Sequence, residues 1–177
     1  MKNKILWITR TAVLMALLVT LQWATSGLSQ FVTGSCVNAV LAVATLTVGV
    51  WSGIAVALLS PFCAFLLGIG PKLIQMVPAI ALGNVVLVLL VAWLLRGKAL
   101  FWWGKALGIA AAASGKFVVL YLAVVQVIIP VMGEALKPKQ VETFTAMFSW
   151  PQLVTALIGT TLAVLIAPVI RKATERR

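Results

Sequence analysis

The sequence predicts an all-α integral membrane protein of six transmembrane helices, with both termini on the cytoplasmic side. Three observations carry this prediction. Of the 177 residues, 63% are hydrophobic and only 10% are charged, with a mean hydropathy of +1.14. A soluble domain carries about 25% charged residues, which it needs to cover its water-facing surface. The apolar residues also fall into long runs, and a helix needs about 20 such residues to cross a bilayer core. Finally, most of the Lys and Arg lie outside these runs and on one side of the expected barrier. The length fits a single membrane domain, residues 1–177.

The first helix is expected over residues 5–22, followed by a polar, small-residue segment at 23–35. Lys2, Lys4 and Arg10 ahead of an apolar run have the look of a signal peptide. No small-x-small cleavage site follows, and further spans do, so the segment is read as a retained helix. Residues 37–69 are apolar for 33 positions, which as one helix would reach roughly 50 Å. A core of about 30 Å cannot hold that. The break is placed at Gly49-Val50-Trp51-Ser52-Gly53, predicting helices over 37–50 and 53–69. Pro61, with Ser60 beside it, is expected to kink the second of these.

Gly68, Gly70 and Pro71 end the third helix, and Lys72 and Gln75 mark a short polar connection. A fourth helix is predicted over 78–95, with Pro78 in its first turn, where proline is tolerated. Residues 96–105 are basic and hold Trp102 and Trp103, an interfacial anchor. The fifth helix is predicted over 106–129, stopped by Pro130. A long connection at 131–149 carries Glu134, Lys137, Lys139 and Glu142. The sixth helix is predicted over 151–170, before Arg171.

With the N-terminus inside, the cytoplasmic face holds Lys2, Lys4, Arg10, Arg96, Lys98, Lys105, Arg171, Lys172, Arg176 and Arg177. The outer face holds Lys72, Lys137 and Lys139. Ten against three is the positive-inside bias, and it predicts an N-in, C-in topology. The three longer connections, after helices one, three and five, then face outward together.

What the sequence lacks narrows the function. A net charge of +11 brings nucleic acid to mind, but no basic stripe with interleaved aromatics lies on a polar helix, so nucleic acid is not an expected partner. Cys36 and Cys63 are far apart and read as unpaired buried thiols. There is no His and no Asp, and the acids are Glu134, Glu142 and Glu175, all outside the predicted spans. Metal-dependent membrane hydrolysis needs His or acidic ligands. Ion-coupled carriers usually hold a carboxylate at membrane depth. A G-x-x-x-x-G-K-[ST] phosphate loop is missing as well. No enzyme activity and no cofactor are expected, and energy for uphill movement would enter through another subunit.

Within the predicted spans Lys116 stands out, eleven residues into the fifth helix. A cation at that depth is costly unless it is paired or hydrated, and snorkelling from mid-helix reaches neither interface easily. No carboxylate lies inside a span to pair with it, which suits an anionic ligand. Asn84, Gln75, Asn38, Gln152 and Trp150 are expected at comparable depth toward the outer side. Asn84 serves equally well as a helix–helix hydrogen bond, and Trp150 as a belt residue. Together they suggest an outward-opening cavity of apolar walls and a few placed polar groups. The segment 22–31 is expected to close over it, with Trp23 and Phe31 covering a ligand.

Six short helices with basic cytoplasmic ends in a chain of this length resemble the substrate-binding S components of energy-coupling factor (ECF) transporters, the vitamin-uptake branch of ABC transporters. Ala12-Val13-Leu14-Met15-Ala16 on the first helix puts two small residues on one face, permitting close helix approach. The resemblance implies that Ala12 and Ala16 dock against a transmembrane coupling subunit. The stretches Val77-Pro78-Ala79-Ile80-Ala81-Leu82-Gly83-Asn84 and Trp150-Pro151-Gln152-Leu153-Val154-Thr155-Ala156-Leu157-Ile158-Gly159 are similar to helices four and six of such proteins. The likeness covers essentially the whole chain. It further implies capture of a vitamin or related micronutrient from outside, a complex with the coupling subunit and two ATPase subunits, and tipping in the membrane to release substrate. Lacking an acid within the spans, the chain departs from the thiamine-binding type, which argues against a cationic vitamin. A stand-alone channel or facilitator lined by Lys116, or a scaffold packing through Ala12 and Ala16, remain open at this point.

Overall fold

A computed structural model of the chain describes residues 2–71, 73–96 and 101–175. Lys72, Lys98, Arg176 and Arg177, counted in the charge bias, lie outside the described residues. Among those described there is no strand. The helices are α1 (Lys2–Thr25), α2 (Gln30–Thr47), α3 (Val50–Leu66), α4 (Met76–Leu94), α5 (Trp102–Leu120), α6 (Ile129–Met132), α7 (Pro138–Met147) and α8 (Trp150–Glu175). A π-helical stretch, Tyr121–Ile128, joins α5 to α6 without a break. Among the described residues five helical stretches are long and apolar enough to cross a membrane, and the 17-residue α3 is a shorter apolar helix.

Several boundaries differ from the sequence expectation, each for a physical reason. Helix α2 starts at Gln30 rather than 37, because its polar first turns face other helices rather than lipid. The break before α3 is at Val48–Gly49, where Gly49 takes φ +140°, a region costly for any residue with a Cβ. Pro130 does not stop the fifth helix. It sits in the first turn of α6 after the π-helical stretch, where its missing N–H breaks little. The turn comes at Gly133, with φ +44°. The connection expected at 131–149 contains a helix of its own, α7. Proline opens α7 and Gln140 Oε1 accepts from the Lys137 N–H at 3.0 Å.

Large apolar side chains cover the outside: Leu66 is 82% exposed, Val131 81% and Trp51 72%. In water such a surface would drive aggregation, whereas lipid solvates it. Inside, lipid gives no hydrophobic drive for helix association, so close packing must supply it. Helices α2 and α8 form the most extensive pair. A Cβ on Gly159 would stand 2.6 Å from the Ser35 carbonyl oxygen and 2.7 Å from the Ala39 nitrogen. Backbone therefore meets backbone there. Ala42, Ala44, Ala156, Ala163 and Ala167 are buried along the two helices. A central core of Leu18, Leu41, Leu87, Val88 and Val91 joins α1, α2 and α4. A second core of Met76, Leu120, Val124, Phe144 and Phe148 fastens α7 to α4 and α5. Cys36 and Cys63 are free and half-buried rather than fully buried.

The bundle has two chemically distinct ends. At one, the Arg171 guanidinium donates to the Leu46 carbonyl near the end of α2, and Arg10 lies in a groove with Thr47 and Arg171. Arg96 packs beside Gly49 at the same end. Trp7, Trp51, Trp93, Trp102 and Trp103 are exposed on helix segments at this basic end, the placement of an interfacial aromatic belt. At the opposite end meet the connections α1–α2, α3–α4 and α7–α8.

Candidate functional site

That opposite end opens into a cavity of about 290 Å³. Pro61 sits one position after buried Ser60 inside α3 and, with Phe65 and Ile69, forms one wall. Val77 and Ile80 on α4 and Leu120 on α5 form another. Gln22, Ser26, Leu28 and Gln30 belong to the α1–α2 connection and its flanks.

At the cavity wall lies Lys116, 3% exposed. Its Nζ donates to Asn38 Oδ1 at 2.6 Å and to Asn84 Oδ1 at 2.7 Å. Asn38 Nδ2 in turn donates to Thr155 Oγ1 at 3.3 Å, and Thr155 Oγ1 donates to the Gln152 carbonyl at 3.1 Å. Four helices, α5, α2, α4 and α8, are thus tied through one ammonium. An ammonium has three protons. Two are taken by neutral amide oxygens, which leaves the site rich in donor capacity and free of a protein counter-charge among the described lining residues.

The mouth is held by a second set of bonds. Gln30 Nε2 donates to the Met147 carbonyl at 2.6 Å, and Gln152 Nε2 to the same oxygen at 3.1 Å. This carbonyl at the end of α7 links the starts of α2 and α8. Thr33 Oγ1 donates to the Thr25 carbonyl at 2.8 Å, which bends the α1–α2 connection back over the cavity.

The candidates read from the sequence divide into two groups. Lys116, Asn38, Asn84 and Gln152 all line this cavity. Gln75 is exposed just before α4. Trp23 is 67% exposed and Trp150 62%, and none of these three is among the lining residues. Phe31 packs on Trp150 with ring centroids 5.4 Å apart instead of covering the cavity. Ala12 and Ala16 lie exposed on α1, outside the bundle interior. Gln22, expected only as part of the closing segment 22–31 and not as a binding residue, is 9% exposed and its Oε1 is buried without a partner. Its place at the end of the first apolar run made it look like a helix terminus. Thr155, not singled out in the sequence, accepts from Asn38 Nδ2 and so orients it.

Comparison with curated proteins and with solved structures gives no match. The model of the family described as the ECF transporter substrate-specific component matches residues 7–171, nearly the entire chain. The chain therefore belongs to the family of ECF transporter substrate-specific components.

Proposed function

We propose that the chain captures a vitamin or related small micronutrient, neutral or anionic, from the outer face of the membrane and hands it inward as part of a larger complex. Membership of the family makes it a substrate-specific membrane subunit of an ECF transporter, a transport subunit and not an enzyme. The single observation behind the site assignment is the buried Lys116 held between Asn38 and Asn84 at a cavity wall. Buried polar groups converging on a mostly apolar pocket are the usual form of a small-molecule site. A buried cation so placed discriminates against cationic substrates by repulsion.

The cavity and the groove at the basic end share no lining residue. Leu18, Leu41 and Leu87 are fully buried in the core of the bundle. This supports a binder over a continuous pore. The positive-inside bias supports an orientation with the basic end in the cytoplasm and the cavity facing out. In this reading Ala12 and Ala16, exposed and small, meet a transmembrane coupling subunit, and two ATPase subunits supply the energy.

Co-expression with an ECF coupling subunit and its ATPases tests the assignment. A stable complex that retains a small molecule on the S component is the expected result. A chain that purifies alone under those conditions and retains no small molecule contradicts it.

A further inference from the structure

We infer that the substrate is a small carboxylic acid that also carries an N–H or O–H donor, its carboxylate on Lys116 and its donor on Gln22. This inference rests on the cavity being the substrate site and narrows what that site takes.

Size comes first. A cavity of about 290 Å³ lies at the lower edge of ligand pockets, and at ~30 Å³ per water-sized group it holds a molecule on the order of 10 non-hydrogen atoms. Charge comes second. Lys116 is the ionisable group among the described lining residues. Its two protein partners are neutral amide oxygens, at 2.6 and 2.7 Å. A cation taken out of water needs a counter-charge and a full set of hydrogen bonds. A carboxylate supplies both by accepting the third Nζ proton, and such charge-assisted bonds are about twice as strong as neutral ones. A neutral carbonyl would supply the bond without the charge.

The second contact point is Gln22. Its side chain lies nine-tenths buried beside the cavity, and its Oε1 is a buried acceptor with no partner. An unmet buried acceptor is destabilising, and a substrate N–H or O–H relieves that cost. The amide N–H groups of Gln30 and Gln152 are engaged with the Met147 carbonyl, and among the described lining residues Gln22 Oε1 is the buried acceptor without a partner. Phe65, Ile69, Val77 and Ile80 line the same cavity, which suits a substrate whose remaining surface is apolar.

The test uses four minimal probes on the purified full chain in detergent: para-hydroxyphenylpropionate, its methyl ester, phenylpropionate and tyramine. Binding is read as the shift in thermal unfolding and as equilibrium affinity. The hydroxy acid should bind at least about tenfold tighter than its ester and than the amine, and measurably tighter than phenylpropionate. Gln22→Leu should erase the difference between the two acids while leaving the preference for acid over ester. Lys116→Gln should erase the preference for acid over ester. The ester or amine binding as tightly as the acid overturns the proposal, as does a hydroxyl preference that survives Gln22→Leu, or no binding by any probe. The broader reading is judged separately, by whether denaturing the purified chain releases a small molecule of any class. A retained neutral or cationic compound would overturn the carboxylate while leaving the binding role standing.

Discussion

Lys116 Nζ lies 2.7 Å from Asn84 Oδ1, although the two residues are 32 positions apart and belong to α5 and α4. With Asn38 Oδ1 on α2 at 2.6 Å, Asn84 provides half of the protein's hydrogen bonding to a buried ammonium. Asn84→Ala should therefore destabilise the protein by about 1–3 kcal/mol, because a buried donor is left unmet. Adding Lys116→Met to Asn84→Ala should recover part of the loss, since removing both partners removes the unmet group. Thermal unfolding in detergent measures both. Equal stability of Asn84→Ala and the parent protein would contradict the bond's role.

The α2–α8 crossing depends on Gly159. A methyl there would stand 2.6 Å from the Ser35 carbonyl oxygen, and backbone cannot swing aside as a side chain does. Gly159→Ala should cost about 1–3 kcal/mol through overpacking. Asn38 should shift with it, because its Cβ would also lie 2.6 Å from the new methyl. The matched control is Gly27→Ala, where nothing lies within 4 Å of the added atom. Similar unfolding temperatures for the two variants would count against the close crossing.

Ala12 and Ala16 are exposed on one face of α1, away from the cavity. Ala12→Trp and Ala16→Trp should each block assembly with the coupling subunit, since a small-x-x-x-small face works by close backbone approach. Small-molecule retention should be unchanged. Normal assembly of both variants in a pull-down would remove this face from the interface.

Orientation is open to a direct labelling test. In a background of Cys36→Ser and Cys63→Ser, Ser26→Cys should react with a membrane-impermeant maleimide on intact cells. Lys4→Cys should react only after permeabilisation. The reverse pattern would place the cavity on the cytoplasmic side and contradict the positive-inside assignment.

How much of this was legible in the sequence depends on where each residue sits. Lys116, Asn38 and Asn84 stood out because a polar side chain in an apolar run has few places to go other than the protein interior. Their convergence on one atom was not legible, because it depends on how α2, α4 and α5 rotate against one another. In a membrane helix the lipid face and the packed face are both apolar, so periodicity gives little rotational information. Near helix ends the ambiguity is worse. Trp23, Gln75 and Trp150 read as cavity residues yet lie outside it, while Gln22, next to Trp23, turns inward. One residue on a helix is about 100° of rotation, enough to exchange lipid for cavity. Helix α7 escaped notice because its ten residues mix Lys139, Glu142 and Thr143 with a single buried Phe144.

If the cavity at Lys116 holds the substrate, the purified chain should carry it. Mass spectrometry of the small molecules released on denaturing the purified chain tests it most directly, comparing the parent protein with Lys116→Ala. One low-mass compound should be released in near-stoichiometric amount from the parent, with retention weakened by more than about tenfold in a Lys116→Ala chain that still folds. The same compound retained equally by a folded Lys116→Ala variant, or no compound retained by the parent at all, would contradict it.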